Sequence, residues 1–196
     1  MNKYKIAYYK NDFTSVKSVI KDKINYSLFI ILSILLFSSC RKETENADFF
    51  LEYPLEFTIQ TGANPILTHV FTWSVPSSWN NFLSQNNLSN TDISSIRPVS
   101  IYITTPFNSP INYDFVEEAK VRIYNPNDVS SKQTIGEIYF EPTNRDIDLY
   151  LLPGLSDCNK YVMLPQFKID LNLRFREIIR TNTNHRMFIK FGVFKK

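Results

Sequence analysis

The sequence predicts an all-β domain: an antiparallel two-sheet β-sandwich, Ig-like, with two short helical connectors. Three observations carry that expectation. Apolar residues recur at every second position in several separate segments, the mark of strands with one buried and one solvated face. No segment sustains a long 3.6-residue period, so the extended crossovers that parallel strands require are missing. Among 196 residues there are 16 Phe, 11 Tyr and 2 Trp against 4 Gly, and aromatic side chains suit a pleated, half-buried surface.

The elements follow in order. Leu51, Tyr53, Leu55, Phe57 and Ile59 alternate with Glu52, Pro54, Glu56, Thr58 and Gln60, and Pro54, which has no N–H to give to a ladder, assigns this strand to an edge. Gly62-Ala63-Asn64-Pro65 is a turn, and Leu67 to Val75 forms a second strand. Pro76-Ser77-Ser78 then offers a serine cap for a short helix through Trp79, Phe82 and Leu83, and residues 85–92 read as loop. Val99, Ile101 and Ile103 alternate, as do Ala119, Val121 and Ile123, whose neighbours Lys120, Arg122 and Tyr124 face outward. Asn125-Pro126-Asn127-Asp128 is a turn, and residues 135–140 make another strand. Residues 146–152 read as a capped helical turn stopped by Pro153-Gly154. Phe167, Ile169, Leu171, Leu173 and Phe175 give the cleanest alternation, and Met187, Ile189, Phe191 and Val193 the last.

Ahead of this domain lies a different kind of sequence. Residues 28–37 contain one polar residue, a serine; this run is too short to span a bilayer, which takes about 20 apolar residues, and the right length for a secretory signal core. Ser38-Ser39-Cys40, with Phe37 before them, resembles the lipobox of bacterial lipoproteins, which implies that Cys40 is lipidated and becomes the mature N-terminus. The expected organisation is a lipoprotein signal peptide over residues 1–39, a charged tether over 40–48 and the β-sandwich over 49–196. Two or more acyl chains on Cys40 would hold the protein stably at a membrane, where a single chain holds marginally. A plain secretory signal and an uncleaved anchor helix are the alternatives. Arg41 in place of Asp argues against retention at the inner membrane, and Cys40-x-Lys42-Glu43 resembles a surface-export signal of Bacteroidetes-type lipoproteins; a polar spacer without address information explains it equally well.

The net charge of +3 belongs to the leader. Residues 1–39 hold six lysines and two aspartates, a charge of +4, and the remaining 16 basic and 17 acidic residues sum to −1. Nucleic acid therefore has no compositional support as a partner. Within the mature chain the charge is uneven: residues 168–196 hold eight basic and two acidic residues, which serves either an acidic ligand or pairing of late strands with early acidic ones.

Ile101-Tyr102-Ile103-Thr104-Thr105-Pro106, then Tyr113-Asp114-Phe115-Val116 leading into Ala119 to Tyr124, then Asp146 to Leu151 before the strand at Phe167, resemble a group of small Bacteroidetes envelope lipoproteins with a single β-sandwich domain. The likeness covers roughly residues 95–194 through loose apolar spacings. It implies a cell-envelope location and carries over no catalytic residue.

Candidate chemistry is sparse. His69 and His185 are the two histidines; neither has a second His or a Cys at ligand spacing, so no zinc set is offered, and no cofactor is expected. Cys158 lacks a nucleophile signature and reads as a half-buried inert thiol. Asn144-x-Asp146-x-Asp148 lacks the glycine and terminal Glu of a calcium loop, with Leu155 at the last position. Glu117 with Glu118, or Glu137 with Glu141, could serve glycoside hydrolysis only across a cleft. Flat aromatic surface remains: Trp79, Tyr102, Tyr124 and Tyr139 are the candidate ligand contacts, and Trp73 reads as core. The expected function is that of an outer-membrane or cell-surface lipoprotein, a non-enzymatic binding or structural module for an envelope protein or glycan. The alternative is a lipid-anchored, carboxylate-dependent hydrolase such as a glycosidase, and a third reading is assembly by strand addition at an open edge.

Overall fold

The computed structural model describes residues 46–106, 111–139 and 147–196. The leader, Cys40 and the tether through Glu45 lie outside the described residues, as do Phe140, Glu141, Asn144 and Asp146. The strands are β1 (Phe49–Ile59), β2 (His69–Pro76), β3 (Ile93–Thr104), β4 (Val116–Asn125), β5 (Asp128–Ile138), β6 (Leu149–Pro153), β7 (Gln166–Phe175) and β8 (Thr183–Lys195). Helix α1 (Trp79–Asn86) joins β2 to β3, and α2 (Asn159–Val162) joins β6 to β7. Every strand pairing is antiparallel, so the all-β expectation holds.

The sequence predicts two separate sheets; the structure has one. Across it the order is β1-β8-β3-β6-β5-β4-β7-β2. The reason is β6, which bonds to both halves: Tyr150 pairs with Tyr102 of β3, and Leu152 with Glu137 of β5. The β5–β6 seam is thin, with two residue pairs. From there the sheet curls until its end strands approach through side chains. Phe57 of β1 and Phe71 of β2 have ring centroids 4.8 Å apart, and the Trp73 indole N–H donates to the Glu56 carbonyl at 3.0 Å. Pro54 lies on β1, an end strand, where its missing N–H interrupts no ladder.

β6 corrects the helical turn expected over residues 146–152. Leu149 and Leu151 are buried while Tyr150 and Leu152 are exposed, a period of two that five residues are too few to distinguish from one helical turn. Ladder bonds to β3 decide it. The second helical connector is α2 instead, whose Tyr161 and Val162 are buried. Other differences concern length: β3 and β5 begin earlier than the alternation suggests, with register shifts at Pro98 in β3 and near Ile135 in β5 that break the period. The stretch read as loop over 85–92 holds the end of α1 and a 3-10 turn, Asn90–Asp92, closed by the Ser89 N–H donating to Asp92 at 2.8 Å. At the start of α1 the capping oxygen comes from Ser77, which accepts the Trp79 N–H at 3.2 Å, because the Ser78 hydroxyl is engaged with Tyr53.

Inside the curled sheet, Phe167, Ile169 and Leu171 of β7 and Met187, Ile189 and Phe191 of β8 are fully buried. Gly136 of β5 allows close approach, since a Cβ there would stand 2.6 Å from Ile101 Cδ1. Cys158 is a free thiol buried in this core.

Candidate functional site

The outward face of β1, β8, β3 and β6 carries a transverse row of rings. Register puts Pro54, Phe188, Tyr102 and Tyr150 side by side, one from each strand. Tyr102 stacks on Phe188 with centroids 4.9 Å apart and planes 15° from parallel, and on Tyr150 at 5.5 Å and 30°. The separations are those of offset-stacked rings, one per strand along the row. The row ends on Tyr150, which is 59% exposed.

Charged groups flank the row. Arg186 Nε donates to Glu56 at 3.1 Å on one side, and Glu52 lies opposite Lys190 in register on the other. Burial, aided by the carboxylates of Glu52 and Asp148, raises the Tyr102 phenol above its ordinary pKa, so this ring is neutral at physiological pH. Beyond Tyr150 the exposed surface continues over the β5–β6 seam through Leu152, 72% exposed, to Tyr139, 53% exposed. The seam is a shallow cleft of about 300 Å³, lined by Gly136, Glu137, Tyr139, Leu152 and Pro153 among others. Tyr139 donates to Glu137 at 3.1 Å, and Lys120 lies 5.2 Å from the Tyr139 ring centre and 3.7 Å from Glu137. That phenol hydroxyl, outweighing partial burial, raises the Lys120 pKa.

Of the four aromatic residues singled out from sequence, two belong to this face and two do not. Trp79 is 2% exposed: its ring stacks on Phe82 at 5.3 Å and its indole N–H donates to Asn90 at 2.7 Å, so helix α1 turns it into the core. Tyr124 is on the outward face of β4 as predicted, yet 5% exposed. Lys132 covers its ring at 4.5 Å and its hydroxyl donates to Asp170 at 3.0 Å. Asp170 is the centre of a clamp over four strands, also accepting from Thr72 at 2.8 Å and Lys132 at 2.6 Å. Burial pushes its carboxyl up, and the three donors outweigh burial and hold it below its ordinary pKa. Tyr124 is therefore part of a structural clamp and presents no face to a ligand.

Phe188 and Tyr150 escaped sequence reasoning. Phe188 falls on the wet side of an alternating strand, between Met187 and Ile189, and an out-of-phase aromatic of that kind was the available signal. Tyr150 was hidden by the helical reading of β6. Of the carboxylate pairs considered for catalysis, Glu137 with Glu141 lies partly outside the described residues, and Glu117 and Glu118 are adjacent on β4 and engaged by one arginine. His185 bonds Tyr113 and Thr183, and His69 bonds the Asn64 carbonyl and stacks on Phe175. Cys158 is held near the Ser156 carbonyl, and burial pushes its pKa up to about 12, leaving it protonated. Glu117 and Glu118 pair with Arg174. No group of three His, Cys, Asp or Glu side chains suited to a metal occurs among the described residues, and no described helix is long and apolar enough to cross a membrane. No protein-family model matches the chain, and no curated protein matches it.

Proposed function

We propose that the chain is an outer-membrane or cell-surface lipoprotein, moored through Cys40 after removal of residues 1–39, that works as a non-enzymatic binding module. Its contact surface is the row Phe188–Tyr102–Tyr150 with Leu152 and Tyr139, and its partner is another envelope protein. The fold is read as a sandwich in function: β1-β8-β3 and β2-β7-β4-β5 are the two leaves, and β6 is the strand they share. The single observation that carries the reading is the exposed aromatic and aliphatic surface on that shared strand. Exposed tyrosines are anchors that protein interfaces favour, because they bring large contact area with few rotors. A glycan is less well served, since sugar rings stack on open aromatic faces and the Tyr102 ring is stacked between Phe188 and Tyr150. A carboxylate-dependent hydrolase has less support again: Glu56, Glu117 and Glu118 are engaged by Arg186 and Arg174 on strand surfaces.

The test is capture of partners by cross-linking from intact envelopes, with wild type compared to Tyr150→Ala, Leu152→Ser and Cys40→Ala. A partner lost on Tyr150→Ala or Leu152→Ser, while the variants unfold at the wild-type temperature, supports the face. A partner profile unchanged by both substitutions refutes it. Palmitate labelling that is present in wild type and absent from Cys40→Ala tests the mooring separately.

A further inference from the structure

We infer that the end of the domain at which the chain arrives from the tether docks on an anionic lipid surface through Phe50, Phe194, Arg97 and Lys190. This rests on the proposed mooring at Cys40, nine residues ahead of Phe49. Phe50 is on the outward face at the start of β1 and is 52% exposed. Register places Gly192 of β8 between Phe50 and Arg97. A Cβ on Gly192 would stand 2.7 Å from Ala47 Cβ, 2.8 Å from Val99 Cγ1 and 3.3 Å from the Phe194 ring, so these apolar groups close over the glycine into one surface. Cations lie on its rings: Lys190 Nζ is 4.3 Å from the centre of Phe50, and the Arg97 guanidinium 5.2 Å from that of Phe194.

Rings at headgroup depth with basic side chains reaching lipid phosphates are the chemistry of a membrane interface. Charge agrees with that occupant. Lys195 and Lys196 are exposed at the same end of β8, with Lys195 Nζ 5.8 Å from the centre of the Phe49 ring, while three of the four nearby acids accept from backbone: Asp48 from the Lys195 N–H, Asp92 from the Ser89 N–H and Asp157 from the Ile96 N–H. Glu52 is the remaining carboxylate, opposite Lys190. Covalent reach agrees as well. Nine residues span at most about 30 Å, so a lipidated Cys40 keeps this surface at high effective concentration against the bilayer.

The experiment reconstitutes the full, processed chain in phosphatidylcholine vesicles with or without phosphatidylglycerol, using brominated acyl chains as quencher. A fluorophore is placed on Ser94→Cys, beside Phe194, or on Ile66→Cys, in the turn at the other end of β1; Cys158 is fully buried and does not take the label. Quenching at 94 and not at 66, strengthened by phosphatidylglycerol and relieved by salt, is expected. Arg97→Gln and Lys190→Gln should each weaken the phosphatidylglycerol-dependent part about fivefold, and Phe50→Ser should weaken it further, with unfolding temperatures unchanged. Equal quenching at both positions, quenching indifferent to all three substitutions, or cross-linking of position 94 to a protein with no lipid quenching overturns the inference. Failure of the mooring is read apart from this, in the Cys40→Ala chain. Salt-sensitive binding of that chain to phosphatidylglycerol vesicles, reduced by the three substitutions, upholds the docking face even where palmitate fails to label Cys40.

Discussion

His185 is 1% exposed on β8, stacked on Phe57 at 5.3 Å, with Nδ1 2.9 Å from the Tyr113 hydroxyl and Nε2 2.7 Å from Thr183 Oγ1. Both hydroxyls accept as readily as they donate, so a doubly protonated ring would keep its partners. Burial is what opposes the charge, and it lowers the pKa from 6.5 to about 4. The unfolded chain takes up a proton on this side chain as the pH falls through 6.5, and the folded chain only near 4. Stability from this residue is therefore full above 6.5 and is lost progressively down to about 4. At about 1.36 kcal/mol per pH unit, the loss over that window is on the order of 3 kcal/mol. Urea unfolding at a series of pH values measures it, with His185→Gln as reference, because an amide keeps hydrogen bonding and does not titrate. Wild type should lose stability more steeply than the variant between those two pH values and run parallel to it above 6.5. Parallel curves throughout would refute the assignment of the acid sensitivity to this buried ring.

Three further outcomes follow from the packing. Asp170→Asn leaves the Lys132 ammonium without its charge partner and should destabilise the domain by about 2–3 kcal/mol, at or just below the roughly 3–5 kcal/mol of broken fully buried pairs because Lys132 is 27% exposed; the replacement of both residues together by Leu and Met should cost less, as read from unfolding midpoints. Gly136→Ala drives a methyl into Ile101 Cδ1 and should cost about 1–3 kcal/mol, whereas Ile101→Val removes that atom, so the double variant should be more stable than the sum of the singles predicts. The Cys158 thiol, with its pKa pushed up to about 12, should resist a thiol reagent in the native state and react at the rate of unfolding, which a stopped reaction in increasing urea checks.

The periodicity of the chain was sufficient for most strands, because a half-buried strand writes its two faces directly into alternate residues. Phe167 to Phe175 and Met187 to Val193 are read off without ambiguity, and Pro54 announces an end strand through a missing N–H. Reading failed where local pattern and pairing diverge. Five residues of β6 are compatible with a turn of helix or a short strand, and only the free edges of β3 and β5 decide between them. The candidate face shared that fate: Tyr102 and Tyr139 were visible as aromatics on wet faces, but the stacking of Tyr102 between Phe188 and Tyr150 depends on register between strands distant in sequence.

Exposure was the other quantity beyond reach. Trp79 and Tyr124 have the same composition-level appeal as Tyr102, yet a helix rotation buries the first and a lysine from β5 covers the second. The sequence by itself determined which residues could be buried and which side they occupy in the strands whose alternation is unbroken, since those are properties of a chain with period two. Tertiary structure decided the rest: that β6 joins the two halves into one curled sheet, that Asp170 gathers donors from neighbouring strands, and which rings stay open to solvent. Those outcomes depend on contacts between residues far apart along the chain, and no local pattern encodes which strand will lie beside which.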